Sequence, residues 1–150
     1  MTAPASEGVE IVRDLAAPPA DVFEAWTTAE RFSRWFGGPA VDVPLDRLAY
    51  EPVEGAGWAA TMILPDGNAM DWAGDFVEVQ APVRLVLTIT DAPDAPERAT
   101  ITVDLSPAPI GTTMRFTQET PGFSAEQQQG LVAGWQGFFD ELAAGLPARG

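Results

Sequence analysis

The residues from Ser124 to Leu146 constrain the fold of this chain more than any other stretch. Ser124 and Gln127 have the spacing of a capping box, in which each side chain satisfies a free N–H at a helix start. The apolar residues that follow recur at three- and four-residue steps: Leu131, Val132, Trp135, Phe138, Phe139, Leu142 and Leu146. At 3.6 residues per turn they occupy an arc of roughly 120°, as on a helix packed against a core. We therefore predict one long amphipathic helix over 124–146.

Several short segments before this helix alternate apolar and polar residues, with the two-residue period of half-buried strands. The alternation predicts strands at residues 7–15, 41–50, 58–64, 70–76, 84–90, 100–106 and 113–117. Proline interrupts the segment at 41–50 and cannot donate to a ladder, so we predict an edge strand there. Two short helices are predicted after the first strand, one over Pro19–Thr27 and one that carries Phe32, Trp35 and Phe36.

The order of these segments indicates an α+β fold. Short turns join most of the strands, and short turns force neighbouring strands to be antiparallel. Such a sheet places one face on the core and the other in water, as the alternation requires. We predict a single domain over residues 1–150, with a curved antiparallel sheet of about six to seven strands. This sheet would wrap around the long C-terminal helix, with the two short helices after the first strand.

Composition excludes several kinds of chemistry and of partner. The chain has no Cys and no His, which removes thiolate nucleophiles, the commonest metal ligands and the usual proton-transfer group. We therefore expect no metal and no cofactor. A net charge of −14 repels nucleic-acid phosphate and anionic lipid, so we expect neither nucleic acid nor membrane as a partner. The sequence shows no signal-peptide pattern and no membrane-length apolar run, so we expect a cytoplasmic protein.

Aromatic and methionine side chains are concentrated on the predicted inner faces. Five Trp and four Met in a small domain suit an ordinary core or the wall of a cavity for an apolar or aromatic ligand. The residues that we predict to line such a cavity are Trp35, Phe36, Trp58, Met62, Trp72, Phe116, Gln118, Trp135 and Phe139. Gln118 is the polar member because it shares a strand face with Met114 and Phe116.

Other polar residues on the strands are weaker candidates. By alternation Arg84, Arg115 and Asp71 point away from the apolar face. Arg13 is on the apolar face of the first strand, and we expect it to pair with an acid near the rim of the cavity. Tyr50 is the single tyrosine and a candidate for proton transfer.

Three glycines interrupt the predicted long helix beside its aromatic face. Gly130, Gly134 and Gly137 each cost about 1 kcal/mol relative to Ala in a helix interior. One interpretation is a close backbone approach to a first-helix residue, a ligand or a second subunit, which leaves a homodimer open. The other is that a glycine-rich chain simply tolerates them.

A resemblance to a known family rests on an ordered set of short motifs. These are Ala17-Pro18, Ala25-Trp26-Thr27, Arg34-Trp35-Phe36-Gly37, Gly74-Asp75-Phe76 with Pro82, Arg84-Leu85-Val86-Leu87-Thr88, and Gly134-Trp135 with Leu142. Together they resemble bacterial proteins similar to the C-terminal domain of the activator of Hsp90 ATPase. Those proteins belong to a superfamily with START domains, polyketide cyclases and the birch-pollen allergen. The resemblance covers nearly the whole chain and implies a helix-grip fold with a cavity between the sheet and the long helix.

Two departures limit what the resemblance implies. Phe36 stands where the family often has a second tryptophan, and the run at 51–57 lacks the Arg that the family often shows. No role of that Arg is carried over to this chain. The superfamily includes carriers, cyclases, hydrolases and co-chaperone domains, so the resemblance implies no single activity.

Three functions therefore remain open. The leading hypothesis is the binding of a small hydrophobic or aromatic molecule, because aromatic residues are in excess and no catalytic constellation is found. The second is a cyclase- or hydrolase-like enzyme that uses Gln118, Tyr50, Arg13 and water. The third is a co-chaperone-like interaction module that presents the outer sheet face to a basic partner.

Overall fold

The computed structural model describes residues 8–38, 40–94 and 98–146, so both ends of the predicted domain lie outside the described residues. The elements follow in the order β1 Gly8–Leu15, α1 Pro19–Thr27, α2 Ala29–Trp35, β2 Gly57–Ile63, β3 Ala69–Gln80, β4 Arg84–Ile89, β5 Ala99–Ala108, β6 Gly111–Glu119 and α3 Ala125–Gly145. The predicted α+β order of strand, two short helices, several strands and one long helix is confirmed.

The strands form one antiparallel sheet in the order β1-β6-β5-β4-β3-β2. From β2 to β6 each strand pairs with the next one along the chain, because a tight turn makes consecutive strands antiparallel neighbours. The first strand then pairs with the last, with Val9 opposite Gln118. β1 and β2 are therefore the two edges of the sheet, which has six strands within the described residues.

The predicted edge strand at residues 41–50 is wrong. Two isolated bridges connect this segment to β2, one from Asp42 and one from Ala49. Between them, Leu45–Arg47 forms a single turn of 3₁₀ helix that begins directly after Pro44. Proline has no N–H for a ladder and its fixed φ suits the start of a helical turn, so pairing is lost at this point.

The long helix α3 begins and ends where the sequence indicates. The Ser124 side chain accepts from the Gln127 N–H at 3.1 Å, and the Gln127 side chain accepts from the Ser124 N–H at 2.8 Å, which completes the capping box. Trp135 and Phe139 of α3 pack on Phe116 of β6, with ring centroids 4.7 and 5.2 Å apart. Among the described helices, none is long and apolar enough to cross a membrane.

An ion pair fixes α3 to the first edge strand. Nη1 of Arg13 in β1 lies 2.8 Å from Oδ1 of Asp140 and also donates to the backbone oxygen of Gln136 at 3.2 Å. The predicted pairing of Arg13 with an acid is thus present, and the acid is on α3. Asp140 is largely exposed, so this pair contributes about 1 kcal/mol at most. Together with the Phe116 contacts, the pair shows that α3 lies over the β1–β6 side of the sheet.

Gly74 in β3 allows a close approach between three strands. A Cβ atom at Gly74 would lie 1.8 Å from the backbone oxygen of Thr88 in β4 and 2.4 Å from Nε1 of Trp58 in β2. The Trp58 indole crosses above this position and donates to that same oxygen at 2.9 Å. A side chain at position 74 would therefore collide with both partners of a partly buried hydrogen bond.

We expect Gly74→Ala to lower the free energy of unfolding by at least about 3 kcal/mol, because overpacking here displaces backbone as well as the Trp58 indole. Urea denaturation measures this change. Gly57→Ala in β2 is the matched control, since its added Cβ would meet its nearest atom at an ordinary 3.6 Å. Its stability should stay within about 0.5 kcal/mol of the parent. Equal stability of the two variants would contradict the close approach.

Candidate functional site

The width of the sheet leaves space that α3 does not cover. Six strands about 4.8 Å apart form a sheet about 24 Å wide, whereas one helix with its side chains is about 10–12 Å across. The contacts of α3 with Arg13 and Phe116 place it over β1 and β6. The inner face of the β2–β3 hairpin (57–80) is therefore covered less completely.

A cavity of about 310 Å³ lies in that space, between α3 and the β2–β3 hairpin. Its lining residues are Phe36, Gly37, Val41, Met62, Leu64, Met70, Trp72, Ile89, Gln118, Gly130, Leu131, Gly134, Trp135 and Phe138. Leu64, Met70, Trp72 and Phe138 are half-buried, so the cavity opens to solvent between the hairpin and the helix. None of the described lining side chains can titrate, and Gln118 is the polar one.

The structure brings five of the nine predicted wall residues to this cavity: Phe36, Met62, Trp72, Gln118 and Trp135. They come from the end of α2, from β2, β3 and β6, and from α3. These elements are distant in sequence, so the fold creates this arrangement.

The other four predicted wall residues, Trp35, Trp58, Phe116 and Phe139, are buried in the core and do not line this cavity. Phe116 and Phe139 lie behind Trp135, which separates them from the open space. Trp35 is held by a hydrogen bond to the backbone oxygen of Ala25. Periodicity places a residue on an inner face, but it does not distinguish core from cavity wall.

Nine of the lining residues are not among the nine predicted wall residues: Gly37, Val41, Leu64, Met70, Ile89, Gly130, Leu131, Gly134 and Phe138. Met70, Ile89, Leu131 and Phe138 were on predicted inner faces, so a signal for them existed. Gly37 and Val41 belong to the loop after α2, where no periodic pattern indicates which way a residue faces.

The helix glycines widen the cavity instead of providing a close contact. Gly130 and Gly134 line the cavity, and a Cβ built at either one would meet nothing within 4 Å. Gly137 has the same open surroundings but does not line the cavity. Of the interpretations left open for these glycines, a close approach to a first-helix residue is therefore not observed. Because glycine has no side chain, Gly130 and Gly134 leave space along one side of α3.

Gln118 connects this cavity to a second one. A neighbouring cavity of about 290 Å³ shares Trp72, Ile89, Gln118 and Leu131 with the first. It extends past the end of β6 and includes three charged side chains: Asp91, Arg98 and Glu119. The two cavities therefore form an apolar inner compartment and a charged outer compartment.

Two residues considered for catalysis lie elsewhere. The hydroxyl of Tyr50 donates to the backbone oxygen of Trp26 at 2.7 Å, and its ring is buried between Phe32 and Phe76. Arg13 is paired with Asp140 over β1, away from the cavity rim where we expected it. Both side chains serve the packing of the fold.

The charged strand residues expected on the outer face are found there. Arg84 pairs with Glu78 and Asp104, and Arg115 pairs with Glu10. Asp71 accepts a hydrogen bond from the Thr61 hydroxyl at 2.8 Å. Within the described ranges, no grouping of acidic residues could hold a metal ion.

Comparison with known proteins identifies the family. Residues 16–146 match the family described as Activator of Hsp90 ATPase homolog 1-like protein, and the chain belongs to this AHSA1 family. The resemblance inferred from the short motifs is thereby confirmed. No curated protein matches the chain.

Solved structures of similar fold come from several bacteria. A Chromobacterium violaceum protein is 20% identical with a TM-score of 0.82, covering 93% of this chain and 97% of that one. A Nitrosomonas europaea protein is 24% identical with a TM-score of 0.82, and covers 95% of each chain. An AHSA1-like protein from Aeromonas hydrophila is 25% identical with a TM-score of 0.77, covering 95% of this chain and 97% of that one. These likenesses support the fold.

The buried Tyr50 predicts how stability depends on alkaline pH. Burial raises the pKa of Tyr50 well above its ordinary value of about 10, so the folded protein keeps the phenol protonated while the unfolded chain ionises. The contribution of Tyr50 to the free energy of unfolding is complete below about pH 10. Above that pH it falls by about 1.4 kcal/mol per pH unit, up to the raised pKa of the folded state.

The ionisation of Tyr50 can be measured without interference from Lys or Cys side chains, because all eight basic residues are Arg and the chain has no Cys. Tyr50 is therefore the side chain whose ionisation is observed as the pH rises above about 10. We expect tyrosinate absorbance to rise together with loss of the circular dichroism signal, and the stability slope to vanish in Tyr50→Phe. Ionisation near pH 10 with an unchanged circular dichroism spectrum would contradict the burial of Tyr50.

Proposed function

We propose that this AHSA1-family protein binds a small hydrophobic or aromatic molecule in the cavity between the sheet and α3. The observation that carries the proposal is a cavity of about 310 Å³ whose described lining side chains are all apolar except Gln118. This volume is at the lower end of the roughly 300–1,000 Å³ usual for small-molecule pockets. It suits a compact ligand of two or three rings better than a long lipid.

The arrangement of rings around the cavity supports an aromatic ligand. Phe36 lies 5.9 Å from both Trp72 and Phe138, and Phe138 lies 5.3 Å from Trp135, as measured between ring centroids. All three pairs meet edge to face, which leaves ring faces available to a stacked guest. Met62 and Met70 provide polarisable sulfur that adapts to guests of different shape.

The same wall favours an uncharged ligand. Moving an ion from water into an apolar site costs far more than burying a neutral group, unless an opposite charge is present. The lining side chains carry no charge, so nothing in the inner compartment offsets that cost. A neutral molecule therefore gains the full benefit of burial.

The enzyme alternative lacks the groups that proton transfer requires. An amide such as Gln118 neither takes up nor releases a proton near neutral pH, and Tyr50 and Arg13 are engaged in the fold. The interaction alternative is also less favoured, because Glu10, Glu78 and Asp104 on the outer sheet face are already paired with arginines. Binding in the cavity is the function that the geometry supports best.

The neutral fluorescent probe N-phenyl-1-naphthylamine tests this proposal. We expect saturable binding to the parent protein, with blue-shifted emission as the probe leaves water. Gly134→Phe places a large side chain beside the cavity mouth and should weaken binding by at least about tenfold, or about 1.4 kcal/mol. Gly137→Phe is the matched control on the same helix and should bind like the parent, since Gly137 does not line the cavity.

Circular dichroism establishes that both variants are folded. An equal effect of the two substitutions, or none from Gly134→Phe, would place the probe outside this cavity. Absence of saturable binding to the parent protein would remove the basis of the proposal.

A further inference from the structure

The side-chain amide of Gln118 is held in one orientation. Nε1 of Trp135 donates to Oε1 of Gln118 at 2.8 Å, and both residues are buried. An indole N–H can only donate, and the oxygen is the accepting end of the amide. The Gln118 oxygen therefore has to face α3, and the NH₂ group has to point the other way.

The NH₂ group faces open space. Gln118 is 8% exposed, and in the described chain no hydrogen bond runs from its Nε2 to another residue. Every fully buried side-chain N or O among the described residues has a partner, so Nε2 must retain accessible area. The open spaces that Gln118 borders are the two connected cavities. The fold thus presents a fixed, free N–H donor to the ligand site.

A second donor on the same wall is only weakly satisfied. Nε1 of Trp72 donates to the Met62 sulfur at 3.1 Å, and a thioether is a weak acceptor. Trp72 and Met62 both line the inner cavity with Gln118. Nε2 of Gln118 and Nε1 of Trp72 are therefore two donors on this wall that lack strong acceptors. A ligand that supplies an acceptor completes the hydrogen bonding, whereas a hydrocarbon leaves it incomplete.

The charges nearby argue against an anionic acceptor. The outer cavity contains Arg98, but Asp91 and Glu119 lie beside it, so acidic groups outnumber basic ones there. The whole chain carries a net charge of −14. These negative charges would repel a carboxylate or phosphate, whereas they would not repel a neutral carbonyl oxygen.

We infer that the ligand is a neutral apolar or aromatic molecule that carries a carbonyl-type oxygen, and that this oxygen accepts from Nε2 of Gln118. The inference rests on the proposed function and specifies its ligand class. Gln118 then acts as the specificity-determining residue, and Trp135 positions it by holding the amide oxygen.

Two probes that differ in one group test the inference. 2-Acetylnaphthalene carries a ketone, and 2-isopropenylnaphthalene has the same shape with a methylene in place of the oxygen. Calorimetric titration of the parent protein should show tighter binding of the ketone by about 3- to 10-fold, the effect of one net hydrogen bond. Gln118→Met keeps a similar volume but removes the donor, and should bind both probes equally.

The matched control is Gln136→Met, which removes an amide from α3 outside the cavity. It should keep the preference for the ketone. A readout that does not depend on any variant folding is the side-chain amide signal of Gln118 in the nitrogen–proton NMR spectrum. The amide protons should move further downfield with the ketone than with the alkene, because only the ketone accepts a hydrogen bond from them.

The outcomes separate the two proposals. Equal affinities for the two probes in the parent protein overturn the inference about Gln118 and leave the binding function standing. The inference is also wrong if neither naphthalene binds while N-phenyl-1-naphthylamine does. If none of the three probes binds, the proposed function fails, and the inference with it.

Discussion

The mismatch between a wide sheet and a single long helix governs the architecture of this protein. α3 can cover only part of the inner sheet face, and the Arg13–Asp140 pair with the Phe116 contacts places it over β1 and β6. The short helices α1 and α2 cover a further part, since α1 packs on β5 and β6 and α2 packs on α3. What remains over the β2–β3 hairpin is open space, and Gly130 and Gly134 widen it.

Hydrogen bonds from tryptophan make this open space compatible with a rigid core. The five indole N–H groups donate to the Met114 sulfur, the Ala25 oxygen, the Thr88 oxygen, the Met62 sulfur and the Gln118 side chain. An unsatisfied buried donor costs about 1–3 kcal/mol, so the three rings that donate to oxygen have a strongly preferred orientation. Rings held in this way do not rotate to fill a neighbouring void. The cavity can therefore persist beside a densely packed aromatic cluster.

The sequence predicted the elements better than the boundary between core and cavity. The capping box at Ser124 and the inward Gln118 follow from local spacing, which depends only on the period of a helix or strand. Trp58 and Trp72 are both on inward faces of one hairpin, yet Trp58 is in the core and Trp72 lines the cavity. Their difference depends on where α3 lies across the sheet. That position is set by contacts distant in sequence, such as the one from Arg13, which periodicity does not encode.

Methionine methyl signals offer the most direct test that a ligand enters the cavity and leaves the core unchanged. Met62 and Met70 line the cavity, whereas Met114 is fully buried in the core beneath Trp26. With methyl-labelled methionine and N-phenyl-1-naphthylamine, ring currents of the bound probe should shift the signals of Met62 and Met70 and leave that of Met114 in place. Shifts at Met114 alone, or no shift at Met62 and Met70 under saturating probe, would contradict the account.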